Sequence, residues 1–227
     1  MIVIIGASSG VMQFTLDEFS KIDDVIGSYF NNKISHAISN LTTIRLDLCD
    51  EKSIKTFIDF VVSKNDKKLT ILFASTLSPS ELFVKTSPDD YLQTLSVNLV
   101  SQMKITRGIL PLLIQNGWGR LIFFSSVVTS TTPVGTTLYS TTKAAVEGFS
   151  RSIAVEYGRF GITSNVLQLG YFKKGLIDQL SSEKRKEVLR NIPVQKLGDP
   201  IEIVKATDFI ISSSYFNGQI LRLSGGI

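Results

Sequence analysis

The chain has 227 residues but only one cysteine, Cys49, and one histidine, His36. A lone cysteine excludes a disulfide framework and a cysteine-based zinc site, and a lone histidine excludes most histidine metal sites. Any nucleophile–histidine triad would have to use His36. Charged residues are also scarce, 19% of the chain against the ~25% usual in soluble proteins, yet no run approaches the ~18 apolar residues of a membrane span. The apolar 43% therefore belongs in a core or a subunit interface. Lys and Arg exceed Asp and Glu by only 24 to 20, spread along the chain, which gives no footprint for nucleic acid. The start, Met1-Ile2-Val3-Ile4-Ile5-Gly6, lacks a positive n-region and its apolar run is too short for a signal peptide, so a cytoplasmic protein is expected. There is no Pro-, Gly- or Ser-rich linker and no internal repeat. One domain over 1–227 is expected, without a large accessory substrate domain.

What is present is alternation. Short β-branched runs at 2–5, 25–29, 42–46, 69–74, 120–125, 162–167 and 219–223 read as strands. Between them, helical patterns run near 10–20, 51–63, 89–115, 139–158, 176–190 and 200–212. Leu92, Leu95, Leu99 and Met103 recur at spacings of three and four and fall on one helix face. Pro111 interrupts the same helix and is expected to kink it. Near-continuous apolar strands alternating with helices predict an α/β fold: a doubly wound parallel sheet of about seven strands with helices on both faces.

The first strand runs into Gly6-Ala7-Ser8-Ser9-Gly10 and then Val11. In such sheets ligands bind at the carboxyl ends of the strands, and a glycine turn lets backbone N–H groups approach a pyrophosphate. Two readings stand, a dinucleotide cradle or a plain tight turn. Position 12, where a third glycine would permit close packing, is Met12, which should alter the pocket floor.

Tyr139 and Lys143 are one helical turn apart, so the ammonium can lie near the phenol and favour its ionised form. Such a tyrosine can give or take a proton near neutrality. The spacing alone proves nothing, since Tyr29 and Lys33 share it. Context separates the pairs: thirteen residues before Tyr139 is Ser126, at the carboxyl end of the strand Leu121-Ile122-Phe123-Phe124, where it can hydrogen-bond a carbonyl oxygen. Thirteen before Tyr29 is Leu16, inside a helix. An exposed helix start is the bland alternative for Tyr139 and Lys143, and Ser125 is an adjacent rival to Ser126.

Gly6-x-x-x-Gly10, Asp47-Leu48, Asn98, Ser126, Tyr139-x-x-x-Lys143 and the ending Gly218 to Gly226 together resemble the short-chain dehydrogenase/reductase family over essentially the full length. The second half is similar to the 3-oxoacyl-carrier-protein reductase type, in Gly119-Arg120-Leu121-Ile122 to Ser126, Gly161 to Val166, and Ile192-Pro193 to Gly198-Asp199-Pro200. The resemblance implies a Rossmann-type fold and a catalytic tetrad. Tyr139 would be the acid/base, Lys143 would hold the nicotinamide ribose and lower the tyrosine pKa, Ser126 would orient the carbonyl, and Asn98 would anchor a water relay. It also implies a dinucleotide held by Gly6, Ser8, Ser9, Gly10, Val11, Asp47, Leu48, Ala74, Ser75, Tyr139, Lys143 and Gly170, and a homodimer or homotetramer paired through the Tyr139 helix and the last strand. Phe149, Ile153 and Val155 are the expected apolar interface.

Departures are equally specific. Ala74-Ser75-Thr76-Leu77 stands where the family carries Asn-Asn-Ala-Gly, Leu169-Gly170 where it carries Pro-Gly, and Lys174 where a threonine is expected. The second strand ends in Gly27-Ser28-Tyr29-Phe30-Asn31, with no acid to grip a ribose 2′-hydroxyl and no arginine to attract a 2′-phosphate. NADP(H) is favoured over NAD(H), with Lys33 as a candidate phosphate partner. The substrate is expected to be a small carbonyl or alcohol, of the 3-oxoacyl-thioester or small-ketone kind, with a carbohydrate or secondary metabolite as the alternative. A catalytically weak binding protein is the remaining rival. Residues 171–191 carry a positive excess that suits an anionic handle or a solvated helix face. Cys49 reads as a small semi-buried residue, His36 as a surface residue and Trp118 as a turn residue over the sheet.

Overall fold

The computed structural model describes residues 1–8, 10–34 and 38–227; Ser9 and His36 lie outside the described residues. In chain order the elements are β1 (Ile2–Ile5), a 3-10 turn (Met12–Phe14), α1 (Leu16–Ile22), β2 (Val25–Tyr29), β3 (Leu41–Arg45), α2 (Glu51–Ser63), β4 (Thr70–Phe73) and a 3-10 turn (Phe83–Lys85). There follow α3 (Pro88–Leu95), a π-helical turn (Ser96–Val100), α4 (Ser101–Asn116), β5 (Gly119–Ser126), α5 (Val128–Thr131), α6 (Thr137–Tyr157) and a 3-10 turn (Gly158–Phe160). The chain closes with β6 (Ile162–Leu169), a 3-10 turn (Leu176–Gln179), α7 (Ser182–Asn191), α8 (Pro200–Ser212) and β7 (Ile220–Leu223). The strands form one parallel sheet in the order β3-β2-β1-β4-β5-β6-β7. This is the doubly wound α/β architecture expected from the alternation.

Strand periodicity builds two cores. Val3, Ile5, Phe73 and Phe123 face α2, α4 and α6, packing on Phe57, Ile105, Ile109 and Val146. Ile2, Ile4, Leu72 and Ile122 point to the other face, against Leu16, Phe19, Ile203 and Ile210 of α1 and α8. Both faces of the inner strands are buried, as a parallel sheet between helix layers requires. The rings of Phe73 and Phe123 stack at 4.5 Å.

Helix ends follow local chemistry. Asp50 caps α2 by accepting from the Lys52 and Ser53 N–H groups, and Asp199 with Pro200 opens α8. The helix expected over 10–20 is delayed: the Thr15 hydroxyl donates to Met12 O at 2.7 Å and its N–H to the same oxygen at 3.0 Å, so a tight turn precedes α1. The helix expected over 176–190 breaks at Leu180, and Ser181 caps α7. The long helix expected over 89–115 is three pieces, because the π turn shifts the phase of α3 relative to α4. Leu92 and Met103 are consequently exposed, whereas Thr94, Asn98, Ser101 and Gln102 face inward. Pro111 lies inside α4 without ending it.

The expected interface residues also redistribute. Phe149 packs edge-on against Phe123 and Ile153 is buried, so both belong to the core; only Val155 of the three is exposed. No described helix is long and apolar enough to cross a membrane, and the described residues hold no cluster of His, Cys, Asp and Glu fit for a metal.

Candidate active site

Strand order reverses at β1, with β2 on one side and β4 on the other, and ligands of doubly wound sheets bind at that switch point. There the loop after β1 turns at Gly6 (φ 88°), where a Cβ would lie 2.4 Å from Ser75 Oγ and 2.8 Å from Ser75 N. Only glycine lets the loop pass the end of β4. Gly10 (φ 54°) has no atom within 4 Å of where its Cβ would stand, so the loop is open on its outer side.

Two cavities flank it. One, of about 390 Å³, is lined by Gly6, Ser8, Tyr29, Phe30, Asp47, Leu48, Cys49 and Ser75, among others. The second, of about 550 Å³, runs from Gly10, Val11 and Met12 past Ala74 and Thr76 to Ser126, Tyr139, Lys143 and Gly170, and is closed outward by Thr131, Tyr171, Lys174 and Asp178. Each described residue of the expected dinucleotide site lines one cavity or the other, whereas Lys33, the candidate phosphate partner, lines neither. Cys49 is exposed in the first cavity rather than semi-buried.

Tyr139 lies in the first turn of α6 and lines the larger cavity with Ser126 and Thr76. The two neighbouring hydroxyls favour the phenolate, but burial outweighs them and holds the phenol above its ordinary pKa. The expected net lowering by Lys143 is therefore corrected. Lys143 Nζ lies 5.8 Å from the Tyr139 ring centroid and donates to Phe124 O at 2.8 Å. Its complete burial lowers its pKa to about 8.

The adjacent serines differ in what their hydroxyls meet. Both border the larger cavity, but the Ser125 hydroxyl donates to Glu147 Oε1 at 2.5 Å, whereas Ser126 Oγ accepts from Val128 N at 3.3 Å. Asn98, in the π turn, is fully buried and spends its amide on the chain after β4. Its Oδ1 accepts from Leu77 N at 2.7 Å, and its Nδ2 donates to Leu77 O at 2.7 Å and to Thr142 Oγ1 at 3.0 Å. Its side chain thus fixes the 76–77 segment rather than reaching Lys143.

Met12 is buried in the α1/α8 core and forms part of the cavity floor, as its place in the glycine loop implied. Gly175 (φ 96°) rests on the loop, its Cβ position 3.0 Å from Val11 N. Within 171–191 the positive excess is partly neutralised, Lys173 pairing with Asp199 at 2.7 Å and Arg185 with Asp178 at 3.7 Å. Lys174 instead lies 5.2 Å from the Phe14 ring centroid, on the cavity wall.

One residue escaped the sequence reading. Register pairs Arg45 with Tyr29, and the Arg45 guanidinium sits 5.2 Å from the centroid of Phe30, which lines the smaller cavity. A cation therefore stands at the end of β2 after all. The only signal for it is the β2–β3 register, which no local pattern reveals.

The residues present fit a dinucleotide. The glycine loop separates two cavities of suitable size, its outer side is open at Gly10, and a buried ammonium and phenol sit beneath the larger one.

A family model described as enoyl-(acyl carrier protein) reductase matches residues 24–227. The chain is 31% identical to the 3-oxoacyl-[acyl-carrier-protein] reductase of Buchnera aphidicola, covering 99% of this chain and 96% of that one. It is 30% identical to the Haemophilus influenzae protein of the same name, with the same coverage. A crystal structure from Beutenbergia cavernae, described as an NAD(P)-dependent gluconate 5-dehydrogenase with bound NADP at low occupancy, superposes with a TM-score of 0.90. It covers 99% of this chain and 95% of that chain at 19% identity, a likeness of fold.

The chain belongs to the short-chain dehydrogenase/reductase family and is an oxidoreductase. Within the family it is of the 3-oxoacyl-carrier-protein reductase-like kind.

Proposed function

We propose that the chain is a single-domain NADP(H)-dependent carbonyl reductase that interconverts a ketone and a secondary alcohol, with a 3-oxoacyl thioester or small ketone as substrate. The observation that carries this reading is that Ser126 and Tyr139 bring two hydroxyls to the lining of the larger cavity, with the buried Lys143 ammonium beside the phenol ring. Two such donors suit one carbonyl oxygen, and so favour C=O reduction over the C=C reduction in the family model's description. The bound nicotinamide supplies the hydride, which no side chain can.

The rest is the work of this chain's own groups. Ser126 donates a hydrogen bond to the carbonyl oxygen as negative charge develops on it. Tyr139 delivers its hydroxyl proton to that oxygen, and in the reverse direction its phenolate takes the proton back. Lys143, fixed by Phe124 O, would hold ribose hydroxyls and stabilise the phenolate. Asn98 completes the tetrad by holding Leu77, and with it the segment carrying Thr76. Gly6, Ser8, Gly10, Val11, Asp47, Leu48, Ala74, Ser75 and Gly170 would line the dinucleotide.

The preference for NADP(H) is supported by the absence of an acid at the end of β2, by Arg45 beside Phe30, and by the NADP in the Beutenbergia protein. A hydroxylated, sugar-like substrate is the second reading, favoured by Thr131, Tyr171 and Asp178 on the outer wall. The enzyme would work in the cytoplasm as a homodimer or homotetramer. The test is NADPH oxidation with acetoacetyl thioesters, small ketones and keto sugars, comparing the wild type with Tyr139→Phe. Turnover with a ketone that Tyr139→Phe abolishes supports the reading.

A further inference from the structure

Ser125, Gln168 and Arg222 stand in register across three adjacent strands, Ser125 opposite Gln168 on β5–β6 and Gln168 opposite Arg222 on β6–β7. A polar row crosses the sheet here, and strand positions this regular put its side chains on one face. Glu147 of α6 meets that face. Its Oε1 accepts from Ser125 Oγ at 2.5 Å, Gln168 Nε2 at 3.0 Å and Thr129 Oγ1 at 3.2 Å. Gln168 is buried and satisfied at both ends, donating to Glu147 and accepting from Arg222 Nε. Its amide thus bridges a carboxylate and a guanidinium.

The network ends beside the chemistry. Ser125 immediately precedes Ser126, and the Thr129 hydroxyl also lies 3.1 Å from Ser126 O. Tyr139, Lys143 and Glu147 follow one another by single turns on α6, and each reaches the end of β5: Tyr139 lines the cavity with Ser126, Lys143 donates to Phe124 O and Glu147 accepts from Ser125. The first two touch the reacting atoms or the ribose in the proposed reaction. The third has no such contact and is left without a role by the tetrad.

We propose that Glu147 is a positioning residue: through Ser125 and Thr129 it fixes the segment from which Ser126 presents its hydroxyl to Tyr139 and to the substrate oxygen, while Gln168 relays its charge to Arg222. The inference rests on the carbonyl-reductase reading of Ser126 and Tyr139. It has a consequence that fold stability does not share. The Ser126 hydroxyl, on the same cavity lining as Tyr139, favours the phenolate, so loosening Ser126 raises the pH at which Tyr139 ionises. The proton-donating form is then kept to higher pH in reduction, and the proton-accepting form appears later in oxidation. Both limbs move to alkali. The other groups facing Tyr139 are Thr76, Lys143 and, across the cavity, Lys174 and Asp178; those facing Glu147 are Ser125, Thr129, Gln168 and, through Gln168, Arg222. A substitution at Glu147 changes none of the charged groups that face Tyr139.

The test uses the full-length enzyme, NADPH and an acetoacetyl thioester, with Glu147→Ala, Glu147→Gln, Ser125→Ala and Tyr139→Phe. Glu147→Ala is expected to lower kcat roughly tenfold, to leave the KM for NADPH within about twofold, and to move the alkaline limb up by about half a pH unit. Glu147→Gln keeps the acceptor oxygen and should recover most of kcat and the original limb. Should Glu147→Ala not fold, Ser125→Ala, which removes the shortest bond alone, is expected to show the same displaced limb in milder form. A Glu147→Ala or Ser125→Ala enzyme with the wild-type limb and kcat, beside an inactive Tyr139→Phe, overturns the inference and leaves the functional reading standing. A fully active Tyr139→Phe overturns the functional reading and the inference with it.

Discussion

Lys143 Nζ donates to the carbonyl oxygen of Phe124 at 2.8 Å, tying α6 to the carboxyl end of β5 with a fully buried ammonium. No carboxylate pairs with it among the described ion pairs. A buried charge without a counter-ion is costly to the fold. It is tolerable where a ligand's hydroxyls and an ionising phenol complete its surroundings.

Lys143→Met should therefore stabilise the protein while abolishing turnover. A lysine pKa lowered to about 8 corresponds to roughly 3 kcal/mol of disfavoured charge at neutral pH. Losing the bond to Phe124 O returns about 1 kcal/mol, leaving a gain of about 2 kcal/mol. The sign with pH follows from linkage: between about 8 and the ordinary lysine value the unfolded chain binds more protons, so wild-type stability rises with pH there. The advantage of Lys143→Met in urea unfolding should be full at pH 7 and shrink towards pH 10.

Arg45→Met should weaken NADPH binding roughly tenfold or more, as expected for loss of a charge-assisted contact, and leave NADH binding unchanged. Fluorescence titration of both reduced cofactors checks this. Equal weakening of the two would place Arg45 in general folding of the β2–β3 edge, and no weakening would remove it from cofactor selection.

Met12→Gly should not repair the glycine loop. The side chain is buried among Leu16, Phe19 and their neighbours, so its removal leaves a cavity costing about 3 kcal/mol or more. Thermal unfolding is the check, and a variant of unchanged Tm with tighter cofactor binding would show that Met12 merely obstructs the pocket.

Asn98→Asp should destabilise the protein by about 2–3 kcal/mol, because it keeps the acceptor for Leu77 N but sets a carboxylate oxygen against Leu77 O. Activity should fall more than stability requires, since the same segment carries Thr76, which lines the cavity with Tyr139. Denaturant unfolding and kcat measured together separate the two effects.

The parts of this fold legible in the sequence are those coded locally. The bounds of α2 and α8 follow from an acidic cap and, for α8, a proline beside it; β1 and β2 follow from apolar runs between turn residues. The glycine loop, Ser126, Tyr139 and Lys143 could be placed because their spacings are short and the strand and helix that carry them have strong patterns. What stayed hidden is set by pairs distant in sequence. Arg45 meets Phe30 only through strand register, and Glu147 meets Ser125 only once α6 lies over β5. The π turn at Ser96–Val100 rotates Leu92 and Met103 outward, a phase change that apolar spacing cannot report. Phe149 and Ile153 looked like an interface because a helix face gives no sign of whether its own sheet or a second chain covers it. The pKa of Tyr139 moved the unexpected way because burial, invisible from spacing, outweighs the neighbouring Ser126 and Thr76 hydroxyls.

The most direct test is the pH dependence of ketone reduction by the wild type and Tyr139→Phe at saturating NADPH, with NADPH binding measured for both. Wild-type turnover should hold through neutrality and fall only at alkaline pH, consistent with a phenol that burial keeps protonated, while Tyr139→Phe binds NADPH with similar affinity and loses at least about a hundredfold in kcat. A Tyr139→Phe enzyme that keeps wild-type kcat would contradict the assignment of Tyr139 as the proton donor.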